Sequence, residues 1–385
     1  MKYIHIAGTN AKGSVSEYIY HILMAEGISC GVFTSPHLFS PAERMRMNGK
    51  NISEAEYHKY LEAAGGEEQE HLFRKWTRAV LAWFADGGAE AAVIEAGIGG
   101  SKDSTNVVDA KIAVLTPISL DHTKILGDTV EKIARDKCGI IKEGATVVTY
   151  GQKESVMRII RAACEKKNAR LVTIGSYNVR ETSLEGQTFD YGDLKELRIG
   201  AISPHQVENA CAAAEAALAA GAHAGAIRAG LTSASLQARV QVVNSGMIVD
   251  GAHNPAAIEE LRLTLDKYFD CKDIVVLTAV MRDKDAKRIS EGIKKFANRV
   301  VCTCVDRKRG LPAFDYSKRF QNADYFSDAR SAYRYAKMLK PELLVVCGSF
   351  YLAGLILEVY PRMLEDSLEF RNPITQKVFD FSWTP

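Results

Sequence analysis

Gly8-Thr9-Asn10-Ala11-Lys12-Gly13-Ser14 stands between an apolar run, Tyr3 to Ala7, and a stretch where Val15, Tyr18, Ile19, Ile22 and Leu23 recur at three- and four-residue spacing before Gly27. The run predicts a strand and the spacing a helix, so these seven residues make the turn between them. Backbone N–H groups of the turn and of the new helix converge on one point, where the helix end carries about half a positive charge. A phosphate is held there without many cationic side chains, and Lys12 can reach the terminal phosphates of a nucleoside triphosphate. The turn departs from the common Gly-x-x-x-x-Gly-Lys-Ser/Thr pattern. Ala11 precedes the lysine, Gly13 follows it where a hydroxyl is usual, and Ser14 is the hydroxyl one place later. A tight connection that binds nothing is the alternative, and the rest of the chain decides.

At 385 residues the chain suits two domains, each with enough apolar content for a core. Lys plus Arg (49) nearly equals Asp plus Glu (47), so no global field draws the protein to nucleic acid or to an anionic membrane. Small polar partners are expected instead, with the chain acting as a monomer. No apolar run is long enough to span a bilayer, and the N-terminus enters a strand at once without a charged-then-apolar leader, so a cytoplasmic protein is expected. The eight cysteines form no paired Cys-x-x-Cys knuckles, which fits a reduced compartment. Cys302 and Cys304, read as lying on one face of a strand, lack a second pair or a flanking His and are expected to be packed thiols.

Short β-branched runs alternate with longer amphipathic stretches: Ile4–Ala7, Gly31–Thr34, Ala92–Glu95, Ile112–Pro117 and Thr146–Tyr150 read as strands. That rhythm predicts an α/β fold, a mostly parallel phosphate-loop sheet flanked by helices. From Ser176 to Gly200 short alternating pieces predict a small antiparallel excursion, followed by an alanine-rich helix over Gln206–Ala220. A second series, Met247–Asp250, Ile274–Val280, Val300–Val305 and Leu343–Cys347, predicts a smaller Rossmann-like α/β domain, and the boundary is placed to give 1–235 and 236–385. The stretch beyond Leu364 lacks periodicity and reads as a tail.

In such sheets ligands sit beyond the carboxyl ends of the strands. Thr34-Ser35-Pro36-His37, Glu95-Ala96-Gly97-Ile98-Gly99-Gly100 and Asp121-His122 follow successive strands. Ser35, Glu95 and His122 thus offer hard oxygens and an imidazole near Lys12 and Ser14, the ligands of a Mg²⁺ that a nucleotide site needs. Singly, each has a plainer reading: Glu95 as a helix cap, His122 as a loop brace, Ser35 as turn chemistry before a proline. Their joint placement favours the metal. Lys137 falls in the last turn of a helix beginning near Asp128, where a lysine opposes the helix dipole. In the second half, Asn254 is suited as a helix cap and Pro255 as the first helical residue, which accounts for both. Asp250 and His253 lack such an explanation, and Arg239, Ser349 and Tyr351 stand at comparable strand ends. Two domains that aim polar loops at one cleft imply an enclosed reaction.

The ordered series GTNAKGS, TSPHL, ERMRMNG, EAGIGG, TNVV, SLDHTKILGDT, RDKCGIIK, HQVENA, LQARVQ, DGAHNP and CGSFYLAG resembles the folylpolyglutamate synthase and dihydrofolate synthase family of the Mur ligase superfamily. The resemblance implies an ATP-dependent amide ligase that joins glutamate to a carboxylate acceptor through an acyl phosphate, with one or two Mg²⁺ ions. It implies nucleotide contacts at Gly8, Thr9, Asn10, Ala11, Lys12, Gly13, Ser14, Asn209, Arg239 and Asp250, and metal ligands at Ser35, Glu95 and His122. It further implies a carbamylated Lys137, acting with Lys12 and His253 in catalysis, and contacts to the incoming amino acid from His253, Ser349 and Tyr351. For His253, orienting that substrate and serving as general base both stay open.

The chain also departs from the family pattern. Members usually carry a helical segment before the strand that leads into the phosphate loop, and it helps form the pterin pocket; here the sequence begins with the strand. Ala11 replaces the usual glycine, Ser101-Lys102-Asp103 stands where an arginine-containing stretch is typical, and Arg74 replaces an acidic residue common in the predicted helix Leu72–Ala85. The energy-coupling residues match more fully than the acceptor pocket. Alternatives are therefore a relative that ligates an amino acid to a non-folate acid, and a nucleotide-binding relative without catalysis.

Overall fold

The computed structural model describes residues 1–66, 72–363, 370–371 and 378–379. Most of the predicted tail lies outside them. The first sheet has eight strands: β1 (Lys2–Ala7), β2 (Cys30–Phe33), β3 (Met45–Met47), β4 (Lys50–Asn51), β5 (Ala91–Glu95), β6 (Ile112–Leu115), β7 (Thr146–Thr149) and β8 (Arg170–Thr173). Their spatial order is β4-β3-β2-β5-β1-β6-β7-β8, parallel from β2 to β8, with β3 and β4 antiparallel at the edge. The central strands are buried on both faces, which is why β5 and β6 read as unbroken apolar runs rather than as alternation.

One face is covered by α1 (Lys12–Ala25) and the helices His205–Ala220 and Ala224–Ser233, where alanines let helix approach helix closely. The other carries Leu72–Asp86, which packs Val80 and Phe84 against Phe33 and Ile94, with a separate cluster under Glu154–Lys166. The excursion forms an antiparallel sheet of β9 (Tyr177–Ser183), β10 (Gly186–Tyr191) and β11 (Leu194–Ile199).

The second sheet comprises β12 (Gln241–Asn244), β13 (Met247–Val249), β14 (Ile274–Thr278), β15 (Arg299–Cys302), β16 (Ala323–Tyr325) and β17 (Leu343–Cys347), in the order β12-β13-β17-β14-β15-β16. Only β12 runs antiparallel, and an apolar cluster lies on either face. Leu236 packs on the first domain's core and Ala238 in the second's, so the chain crosses between them there. The strand reading of 300–305 ran too far. β15 stops at Cys302, and Cys304 lies past its end with its thiol directed to the Asp306 carbonyl, so the two thiols do not share a strand face. All eight cysteines are free.

Candidate active site between the two domains

α1 begins with the phosphate turn. No side chain caps it and its first turn holds no acidic residue, so the free N–H groups expected at a helix start are left for an anion. Ala11, its N-cap, takes φ 68° and ψ −10°, a left-handed conformation that favours glycine. The glycine usual in the family would relieve that cost, so Ala11→Gly is expected to stabilise the protein by about 0.5–1 kcal/mol after the added flexibility of the unfolded chain is counted. The shift of the urea midpoint measures it. Gly8 is required for a different reason: a Cβ there would overlap the Thr116 side chain, which accordingly caps the turn by donating to the Asn10 carbonyl at 2.6 Å.

A cleft of about 310 Å³ opens over this turn. Every residue from Gly8 to Ser14 lines it, as do Ser35, Glu95, His122, Lys137 and Asn209 from the first domain and Arg239, Asp250 and His253 from the second. Glu95 ends β5 and is only 2% exposed. Its carboxylate accepts the Ser35 N–H at 3.0 Å and lies 3.9 Å from the Lys12 ammonium. Burial pushes the Glu95 carboxyl up, against Lys12, the Ser35 N–H, Arg239 and Arg44, while burial pushes Lys12 down against the pull of Glu95. A buried anion so placed fits a divalent cation. Among the described residues no three His, Cys, Asp or Glu side chains gather at one point, so a cation on Ser35, Glu95 and His122 would complete its shell with phosphate oxygens and water, as Mg²⁺ commonly does.

Lys137 closes the helix Val130–Lys137 and is 4% exposed, its ammonium donating to the Gly8 carbonyl at 2.6 Å. Its position is therefore not explained by the helix dipole alone. Burial, with Lys12 beside it, pushes the amine down to about 7. In the unfolded chain the amine stays near 10.5, so between these values the unfolded state binds more protons and stability rises with pH. In CO₂-free buffer, thermal midpoints should climb from pH 7 to pH 9, and Lys137→Met should flatten that slope.

Asp250 turns out to be a brace as well as a cleft residue. Its two oxygens accept the Val240 and Ala252 N–H groups, each at 2.6 Å, and so fix the crossing turn that carries Arg239, where Ala238 and Val240 both have positive φ. The Arg239 guanidinium lies 4.4 Å over the Phe350 ring. Asn209 accepts from the Tyr150 hydroxyl at 2.8 Å and donates to Gln206 at 2.9 Å, and Gln206 in turn reaches the Ser14 hydroxyl at 3.4 Å. His253 Nδ1 bonds the Gly251 carbonyl at 2.8 Å, leaving Nε2 as the acceptor, and burial holds its imidazole down at about 4.

Ser349 and Tyr351 are not among the residues lining this cleft. The Ser349 hydroxyl accepts the Tyr351 N–H at 3.1 Å, and the Tyr351 hydroxyl accepts from Arg309 at 3.3 Å, its ring 6.1 Å from His37. The intervening Phe350 is the residue that faces the cleft. Nor is Asn254 accounted for by capping alone. It does accept the Ala257 N–H at 2.9 Å, but its amide also pairs with that of Asn10, at 2.7 and 3.3 Å, tying the second domain to the phosphate turn. Sequence reasoning also passed over Asp121 and Lys284, whose ion pair at 2.9 Å crosses between the domains. Asp121 sits beside a chosen residue and could have been found; nothing local marks Lys284.

Fold and cleft together define a two-domain α/β architecture in which a glycine-rich strand-to-helix turn faces a second α/β unit. Residues 6–217 match the Mur ligase middle domain, and residues 238–350 the Mur ligase glutamate ligase domain. The chain is 31% identical to the dihydrofolate synthase/folylpolyglutamate synthase of Escherichia coli, over 92% of this chain and 85% of that protein. It is 30% identical to the protein of the same name from Bacillus subtilis, over 90% and 87%. Among solved structures, E. coli FolC in complex with DHPP and ADP superposes with a TM-score of 0.86 at 30% identity, covering 94% of this chain and 89% of that one. Mycobacterium tuberculosis folylpolyglutamate synthase complexed with ADP and AMPPCP gives 0.87 at 29% identity, covering 93% and 91%. A bifunctional folylpolyglutamate synthase/dihydrofolate synthase with Mn, AMPPNP and L-glutamate bound gives 0.83 at 30%, covering 94% and 89%. This chain belongs to the folylpolyglutamate/dihydrofolate synthase family of Mur ligases.

Proposed function

We propose that the protein joins glutamate to the carboxylate of a pteroate or folate, spending ATP through an acyl phosphate. The observation that carries this reading is the single cleft lined by the phosphate turn, by Glu95 and by His253 of the other domain. The division into domains 1–235 and 236–385 belongs to the same reading.

A carboxylate is a poor electrophile, so one of its oxygens first takes the γ-phosphoryl group, and the glutamate amine then displaces phosphate. The N-terminal N–H groups of α1 hold the nucleotide's phosphates, and Lys12 meets charge that spreads over the transferred oxygens. Ser35, Glu95 and His122 would hold the divalent ion, which supplies further neutralisation of phosphoryl charge when bound. Asn209, Arg239 and Asp250 frame the nucleotide from the helix His205–Ala220 and the crossing turn. A second cavity of about 400 Å³ shares Ser35, Glu95, Arg239 and Phe350 with the cleft, giving the acceptor a route to the same point. His253, neutral at physiological pH, orients the incoming amine as a hydrogen-bond acceptor through Nε2; its low basicity argues against a lasting proton transfer. Closing the two domains excludes the water that would hydrolyse an acyl phosphate.

The depressed Lys137 amine is in part unprotonated at neutral pH, which is the form that adds CO₂, and a carbamate would place an anion beside Lys12 while keeping an N–H for the Gly8 carbonyl. Among the described residues no helix is long and apolar enough to cross a membrane, and eight free thiols suit a reducing compartment such as the cytoplasm.

Coupled detection of ADP tests the assignment. Release that requires glutamate together with dihydropteroate or a folate supports it. Turnover only with another carboxylic acid moves the acceptor outside the folates, and nucleotide binding without turnover on any acceptor contradicts a ligase.

A further inference from the structure

Lys284 reaches out of the second domain, from the segment after β14, and lays its ammonium on the first. Its side chain is only 7% exposed. It donates to both oxygens of Asp121, at 2.9 and 3.0 Å, and to His122 Nε2 at 3.2 Å. At these distances the ammonium and the Asp121 carboxylate form an ion pair across the domain boundary. An imidazole accepts a hydrogen bond at Nε2 only through that nitrogen's lone pair, which puts the ring proton on Nδ1. Nδ1 faces the Asp283 carboxylate at 3.7 Å. A divalent ion held through Nε2 would need the same lone pair, and one nitrogen cannot serve both.

Resting on the reading of His122 as a metal ligand, we propose that Lys284 is a positioning residue that gates the metal site. Its ammonium is the cation on Asp121 and His122 while no metal is held, and it must leave His122 when the metal arrives. Asp121, which accepts from the ammonium with both oxygens, keeps the lysine anchored, and the Asn10–Asn254 amide pair keeps the domains in register during the exchange. Metal loading and the domain contact at Lys284 are thereby coupled: whatever strengthens one weakens the other.

Mn²⁺ is the probe, titrated into the full chain without nucleotide and followed by the electron paramagnetic resonance of the free ion. Lys284→Met frees the lone pair and removes a neighbouring positive charge, so Mn²⁺ should bind at least about threefold more tightly than to the wild type. Lys284→Ala is the second variant, should the methionine disturb local packing. Adding His122→Ala to either should erase the difference. Equal or weaker Mn²⁺ binding by both lysine variants, with His122→Ala still weakening the wild type, overturns the gate and leaves the metal assignment standing. Wild-type affinity indifferent to both His122→Ala and Glu95→Gln overturns the two together.

Discussion

Glu95→Gln is expected to lower turnover by about three orders of magnitude or more while the fold stays intact. The substitution keeps the shape and keeps an oxygen for the Ser35 N–H, so the end of β5 has no steric reason to move. What it removes is a buried negative charge facing Lys12 and, on the proposed reading, the anionic ligand of the divalent ion. Neutralising the carboxyl relieves its desolvation but leaves the Lys12 ammonium without its partner, two effects that oppose each other, so the protein should still unfold in one cooperative transition. Steady-state ADP release and a melting curve on the same preparation separate chemistry from folding. Unchanged turnover would falsify the assignment of Glu95 to metal.

Lys12→Met is expected to cost about 10²–10³-fold in kcat, since the ammonium's interaction is strongest with charge that develops during phosphoryl transfer. Nucleotide affinity should fall far less, because the α1 N-terminus still presents its N–H groups to the phosphates. The contrast between kcat at saturating ATP and the calorimetric Kd for a non-hydrolysable analogue tests this. Equal losses in both would make Lys12 a binding residue only.

The parallel core was legible because β-branched runs alternate with amphipathic stretches, and because strands buried on both faces stay apolar throughout. The edge strands Met45–Met47 and Lys50–Asn51 were not: they are short, carry Arg46 and Lys50, and owe their structure to pairing with β2 and with each other. The phosphate turn and the loops after β2, β5 and β6 could be read because a parallel sheet sends its strand ends to one edge. Asn254 was hidden by a sufficient local explanation, since a residue that caps a helix well gives no sign that its amide also crosses a domain boundary. Lys284 gave no sign at all, because its partner lies 163 residues away and only the docking of two domains brings them together. Ser349 and Tyr351 were displaced by the geometry of a helix start, which turns Phe350 rather than its neighbours into the cleft.

Transfer of the terminal phosphoryl group onto an organic acid is most directly tested with an acceptor whose reacting carboxylate carries ¹⁸O. If the acid is activated as an acyl phosphate, each turnover leaves one of its labelled oxygens in the inorganic phosphate when the amine displaces it. Mass spectrometry of the released phosphate should therefore find one ¹⁸O atom per molecule. Phosphate free of label, with amide product formed, would contradict that route.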